Sequence, residues 1–167
     1  PVREMALALL TRMEKLLQRL GWNPGRTTVV VLGHGTPRAS SSTLTTREAA
    51  DFLSCKGPCS TVHPAFLDDA PSPQAVLEGV EADHCMVLPF LFGSGGHSGE
   101  LAQLLGLEDR WHSGSAAIAG RDAQGLEYFI DRPLGEDPVM VDIIDDLAWS
   151  RHSWVRLDRW KGDGHGD

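Results

Sequence analysis

The segment TTVVVLGHG, residues 27–35, decides the fold. From Val29 to Leu32 it is apolar at every position, and two glycines bracket His34. Such a run, lacking the alternation of a half-exposed strand, marks a strand covered on both faces, as in a parallel sheet. Upstream, Ala6, Leu9, Leu10, Met13, Leu16, Leu17 and Leu20 recur at three- and four-residue spacing, and the charged residues keep off that stripe. Residues 2–20 are therefore an expected amphipathic helix, stopped by Gly21 and Asn23-Pro24. Downstream, residues 43–54 read as helix, 60–67 as strand, 73–81 as helix and 84–92 as a second buried strand. Residues 97–106 fit a short helix. Residues 107–125, rich in Gly, Ser and Ala, fit an insertion loop, 126–131 a last strand and 137–149 a last helix.

Strand–helix alternation of this kind predicts an α/β domain with a four-stranded, mainly parallel sheet and helices on both faces. The expected division is a helix and linker over 1–24, the α/β domain over 25–150, and a tail over 151–167. Residues 1–20 and 138–157 share Pro-Val at their starts and Arg-Leu at their ends. The leading helix is thus also readable as the end of a preceding copy of the domain.

Composition narrows the function. The 167 residues hold 15 Lys+Arg and 23 Asp+Glu, a net charge of −8, which argues against a nucleic-acid binder. No apolar run is long enough to span a bilayer. Three cysteines in a chain of this size do not suggest a disulfide framework, and a cytoplasmic protein with reduced thiols is expected. Cys55 and Cys59 are spaced outside the usual zinc pattern, and Cys85 reads as strand packing.

Ligands of open α/β sheets bind beyond the carboxyl ends of the strands. There the first strand runs into Gly33-His34-Gly35, and the strand 84–92 runs into Gly93-Ser94-Gly95-Gly96-His97. The strand between them in sequence ends in Asp68-Asp69. Neutral imidazole ligates divalent metals and accepts protons near neutral pH. His34 and His97 with a carboxylate therefore form a candidate metal and proton-transfer site. His63 and His84, within or beside strands, read as structural. The turn 93–99 fits neither the dinucleotide fingerprint nor the P-loop, and Gly-x-Ser-x-Gly does not occur around Ser94 or Ser98.

Four segments resemble the CbiX-type class II chelatases, the sirohydrochlorin cobalt- and ferrochelatases: VVVLGHGTPR (29–38), AFLDDAPSPQAVLEGV (65–80), VLPFLFGSGGH (87–97) and RPLGEDPVMVDII (132–144). They occur in family order. The resemblance implies insertion of a divalent metal, Co2+ or Fe2+, into a sirohydrochlorin-like tetrapyrrole. By it, His34 and His97 are the catalytic pair, and His34, His97 and Asp68 hold the metal, with Asp68 standing where the family often has glutamate. Arg38, Ser40, Ser41, Gly95 and Gly96 are the residues expected to bind the macrocycle. The metal is substrate, and no nucleotide is required. Because such a cleft lies between two α/β halves, the implied partner is a second copy of the chain or a second chelatase-like half. The alternative is a degenerate relative that binds tetrapyrrole or metal without catalysis.

Overall fold

Strand β1 (Thr27–Gly33) is buried along its whole length and pairs in parallel on both sides, with β2 (Thr61–Phe66) and with β3 (His84–Pro89). A computed structural model describes residues 2–36, 40–93, 117–121 and 125–150 of the chain. Arg38, Gly95, Gly96 and His97, the expected helix 97–106 and the tail 151–167 lie outside the described residues. The sheet order is β2-β1-β3-β5-β4, with β5 (Glu127–Ile130) parallel to β3 and β4 (Ile118–Arg121) antiparallel to β5.

The sheet thus has five strands, one more than the four expected. The added strand, β4, falls inside the segment read as an insertion. Of its four residues only Ile118 is buried. It is an edge strand held to β5 by main-chain pairing, so it carries no apolar run for a sequence reading to find.

Alternate residues of the strands feed two cores. Val29, Val31, Met86, Leu88 and Phe129 face helices α1 (Val2–Leu20), α2 (Ser40–Lys56) and the last helix, α4 (Val139–Ser150). Val30, Leu32, Cys85, Val87, Tyr128 and Ile130 form the opposite core, to which α3 (Pro73–Leu77) adds Leu77. The expected α1 stripe is buried from Ala6 to Leu17, with Leu9 and Met13 fully enclosed. Each such side chain contributes roughly 1.5–3 kcal/mol relative to exposure, so α1 is part of this domain's core. Helix α3 is shorter than expected because the chain turns at Glu78-Gly79-Val80, where the Val80 N–H donates to Leu77 O at 3.2 Å.

Candidate functional site

The carboxyl end of β1 delivers His34 to the rim of the sheet. Both flanking glycines are required there. A Cβ at Gly33 would run into the Thr46 side chain of α2. Gly35 has φ +65°, and a Cβ on it would lie 2.8 Å from Asp69 Cβ and 2.9 Å from Phe66 Cβ. The β1–β2 pairing continues past the strands into this turn: Leu67 N–H donates to Gly33 O at 3.1 Å, and Asp68 N–H to His34 O at 2.8 Å. That ladder sets Asp68 beside His34, with Oδ2 3.3 Å from Nδ1 and both side chains about half exposed.

Gly35 O also lies 2.8 Å from His34 Nδ1. A carbonyl oxygen only accepts, so Nδ1 carries the proton, and a neutral ring then has its lone pair on Nε2, the atom suited to a metal or a second proton. The two adjacent aspartates divide their work. Asp69 Oδ2 accepts from Thr43 Oγ1 and Oδ1 from Ala70 N–H, each at 2.8 Å. Those hydrogen bonds hold the Asp69 carboxyl below the usual carboxylate range, with Arg47 adding a smaller effect in the same direction. Asp69 fastens the loop to α2, leaving Asp68 to face the imidazole.

His34 opens onto a cavity of about 490 Å³, whose lining includes Ser41, Phe90, Phe92, Leu134 and Met140. Its walls are mostly apolar. The turn around Gly135 seals one side: Gly135 N–H donates to Leu91 O at 2.8 Å, and any Cβ there would collide with the Phe92 backbone. Three of the four segments singled out in the sequence therefore meet at one cavity, and the fourth supplies Asp68. Ser41 lines the cavity and Ser40 opens α2. Gly93, just before the stretch that leads to His97, lines the same cavity. His34 and Asp68 are brought together; Arg38, Gly95, Gly96 and His97 lie outside the described residues. Among the described residues, no group of three or more His, Cys, Asp or Glu side chains could hold a metal.

The sequence reading missed the walls. Phe90, Phe92, Leu134 and Met140 are apolar residues at strand and helix ends, and Met5 comes from α1. The one available signal was an aromatic pair carried past the end of a buried strand. His84 sits at the start of β3, away from His34, stacked on Trp22 at 4.5 Å with Nε2 3.4 Å from Glu127. His63 is exposed in β2. Cys59 is buried, which pushes its thiol up to about 11, and Cys55 is exposed.

The CbiX family model matches residues 28–149. No functionally curated protein matches the chain. Among solved structures, CbiX, the terminal enzyme for biosynthesis of siroheme in denitrifying bacteria, is 18% identical with a TM-score of 0.66; 87% of this chain covers 57% of that one. DR2241 from Deinococcus radiodurans, a multi-domain protein structurally similar to chelatases with two additional novel domains, is 25% identical with a TM-score of 0.62; 71% of this chain covers 27% of it. SirB from Bacillus subtilis with Fe3+ is 17% identical with a TM-score of 0.57, and 81% of this chain covers 48% of it. The chain thus spans from about a quarter to somewhat over half the length of these relatives.

Proposed function

This chain belongs to the CbiX family, and on that footing we propose that it inserts a divalent metal, Co2+ or Fe2+, into a sirohydrochlorin-like tetrapyrrole. The observation that carries the reading is His34, held by its Nδ1 at the rim of a mostly apolar cavity with a carboxylate beside it. Insertion replaces two pyrrole N–H protons with the metal, so two protons must leave. Imidazoles that hold the metal and accept those protons perform both tasks. In this reading His34 acts through Nε2, and His97 is its partner in holding the metal and accepting the protons.

Asp68 meets the ring at Nδ1, a placement suited to fixing the orientation of the imidazole, as carboxylates do behind metal-binding histidines. To serve instead as a metal ligand, the role expected from the sequence, Asp68 would have to turn its carboxylate away from Nδ1 towards a metal held at Nε2. Phe90, Phe92, Leu134 and Met140 offer apolar surface to the face of the macrocycle. Arg38, Ser40, Ser41, Gly95 and Gly96 are assigned to its carboxylates. Phe92 is 76% exposed at the cavity, and Val141 and Ile144 are exposed on α4. Such surface suits cover by a second chelatase half, from another copy of this chain or from another domain. The compartment proposed is the cytoplasm, where the thiols of Cys55, Cys59 and Cys85 would stay reduced.

The test is the absorbance of sirohydrochlorin with Co2+ or Fe2+ and the wild-type protein. Insertion faster than in buffer supports the enzyme. Binding of both reactants without acceleration would mean a binding module, and binding of neither would remove the reading.

A further inference from the structure

Helix α1 lies ahead of the residues that match the family model, 28–149, yet it reaches the cavity. Its Arg12 is 10% exposed and points at the segment that follows β5. The guanidinium lies 2.7 Å from Asp131 Oδ2 and 3.8 Å from Asp137 Oδ2, and donates to Arg132 O at 2.7 Å and Pro133 O at 3.5 Å. These four partners flank the turn Leu134–Glu136 on both sides. The two carboxylates are themselves built into the backbone. Asp131 Oδ1 accepts from Arg132 N–H, and Asp137 Oδ1 accepts from Val139 N–H at the start of α4. Only a planar fork with several donors can hold two carboxylates and two carbonyls at once, which is the chemistry of arginine and not of lysine.

That turn is a wall of the site. Leu134 and Gly135 line the cavity, and Gly135 is bonded to Leu91 O and packed on the Phe92 backbone. Two turns before Arg12, Met5 lines the same cavity, half-buried, together with Met140 of α4. Thus one helix both clamps the turn and contributes a soft, polarisable thioether to the wall.

We infer that α1 is a working part of the site: Arg12 is a positioning residue that holds the 131–137 turn against Phe92, and Met5 is a specificity residue facing the macrocycle. The role of Met5 rests on the chelatase reading; the clamp of Arg12 does not. Removing the guanidinium takes from Asp131 and Asp137 the cation they share, which frees the turn.

Two variants test this in the full chain. In Arg12→Ala, amide hydrogen exchange at Gly135 and Asp137 should quicken by about tenfold or more, while the β1 amides keep their protection. The same variant should raise KM for sirohydrochlorin about tenfold with kcat little changed, the pattern of lost binding rather than lost chemistry. Unchanged exchange at Gly135 and Asp137 would overturn the clamp. If Arg12→Ala does not fold, Arg12→Lys, which keeps the charge and loses the fork, reads the clamp by the same exchange at Gly135 and Asp137, and unchanged exchange there would overturn it. Met5→Glu tests the other half of the inference. Placed at a half-buried surface position, it should leave the melting temperature within a few degrees and weaken sirohydrochlorin binding about tenfold by repelling its carboxylates. Unaltered binding in Met5→Glu would overturn the inference. Wild-type protein that binds no sirohydrochlorin, yet shows the exchange change in Arg12→Ala, would sink the chelatase reading and leave the clamp standing.

Discussion

The Asp68 carboxylate lies 3.3 Å from Nδ1 of His34, and the same two residues are tied through their backbones by a 2.8 Å bond from Asp68 N–H to His34 O. The extended β1–β2 ladder fixes this pairing, so it does not depend on the conformation of a free loop. A carboxylate held behind an imidazole sets its tautomer and the direction in which its other nitrogen points.

Replacing that charge with a neutral amide of the same shape should therefore weaken the site without unfolding the domain. Asp68→Asn is expected to lower metal insertion by about 10–100-fold. The melting temperature should hardly move, because the side chain is half exposed. If Asp68 is also a ligand, calorimetric Co2+ affinity falls by a similar factor. If it only orients His34, the affinity falls less than the rate.

Gly35 should tolerate no side chain. Its φ of +65° and its approach to Asp69 and Phe66 leave no room for a Cβ. Gly35→Ala is expected to cost about 1–2 kcal/mol from the left-handed backbone alone, with the crowding added to that. Urea unfolding reads the loss. Insertion activity should fall further than stability does, because the turn that carries His34 must shift.

Helix α1 should behave as core. Leu9 is fully enclosed among helix and sheet residues. Leu9→Ala is expected to destabilise the chain by about 2–5 kcal/mol in one cooperative transition. A change near zero, or a separate early melting step, would place α1 outside the domain.

The thiols give a pH test. Burial raises Cys59 to about 11, whereas the same thiol in the unfolded chain ionises near its ordinary value of about 8.5. Above that ordinary value the unfolded chain releases a proton that the folded chain retains, so unfolding is favoured. Stability from this group is intact below about 8.5 and declines as pH rises towards 11. Native protein at pH 8 should react with iodoacetamide at Cys55 and not at the buried Cys59 and Cys85, and denatured protein at all three.

The legible parts of this molecule are those where local pattern and tertiary role agree. The uninterrupted run at 29–32 sits at the interior of a parallel sheet, and the leucine stripe of 2–20 is buried as spaced. The rim position of His34 follows from the same strand. What escaped reading depends on contacts between distant segments. The β4 edge strand has a single buried side chain to announce it. The family resemblance points to Asp68, but the scaffold role of Asp69 comes from the Thr43 hydroxyl on α2 and the Ala70 N–H. The Gly135 turn becomes a wall only because Phe92 packs against it. Arg12 sits on the polar side of its helix by spacing, yet its partners are supplied by the far end of the chain.

The central claim is that His34 holds metal and takes protons during insertion. Its most direct test compares His34→Ala with His63→Ala, an exposed histidine elsewhere in the sheet, in the Co2+–sirohydrochlorin absorbance assay. Wild-type and His63→Ala proteins should accelerate insertion alike, and His34→Ala should lose at least about 100-fold in rate. Equal rates in all three proteins would contradict the claim.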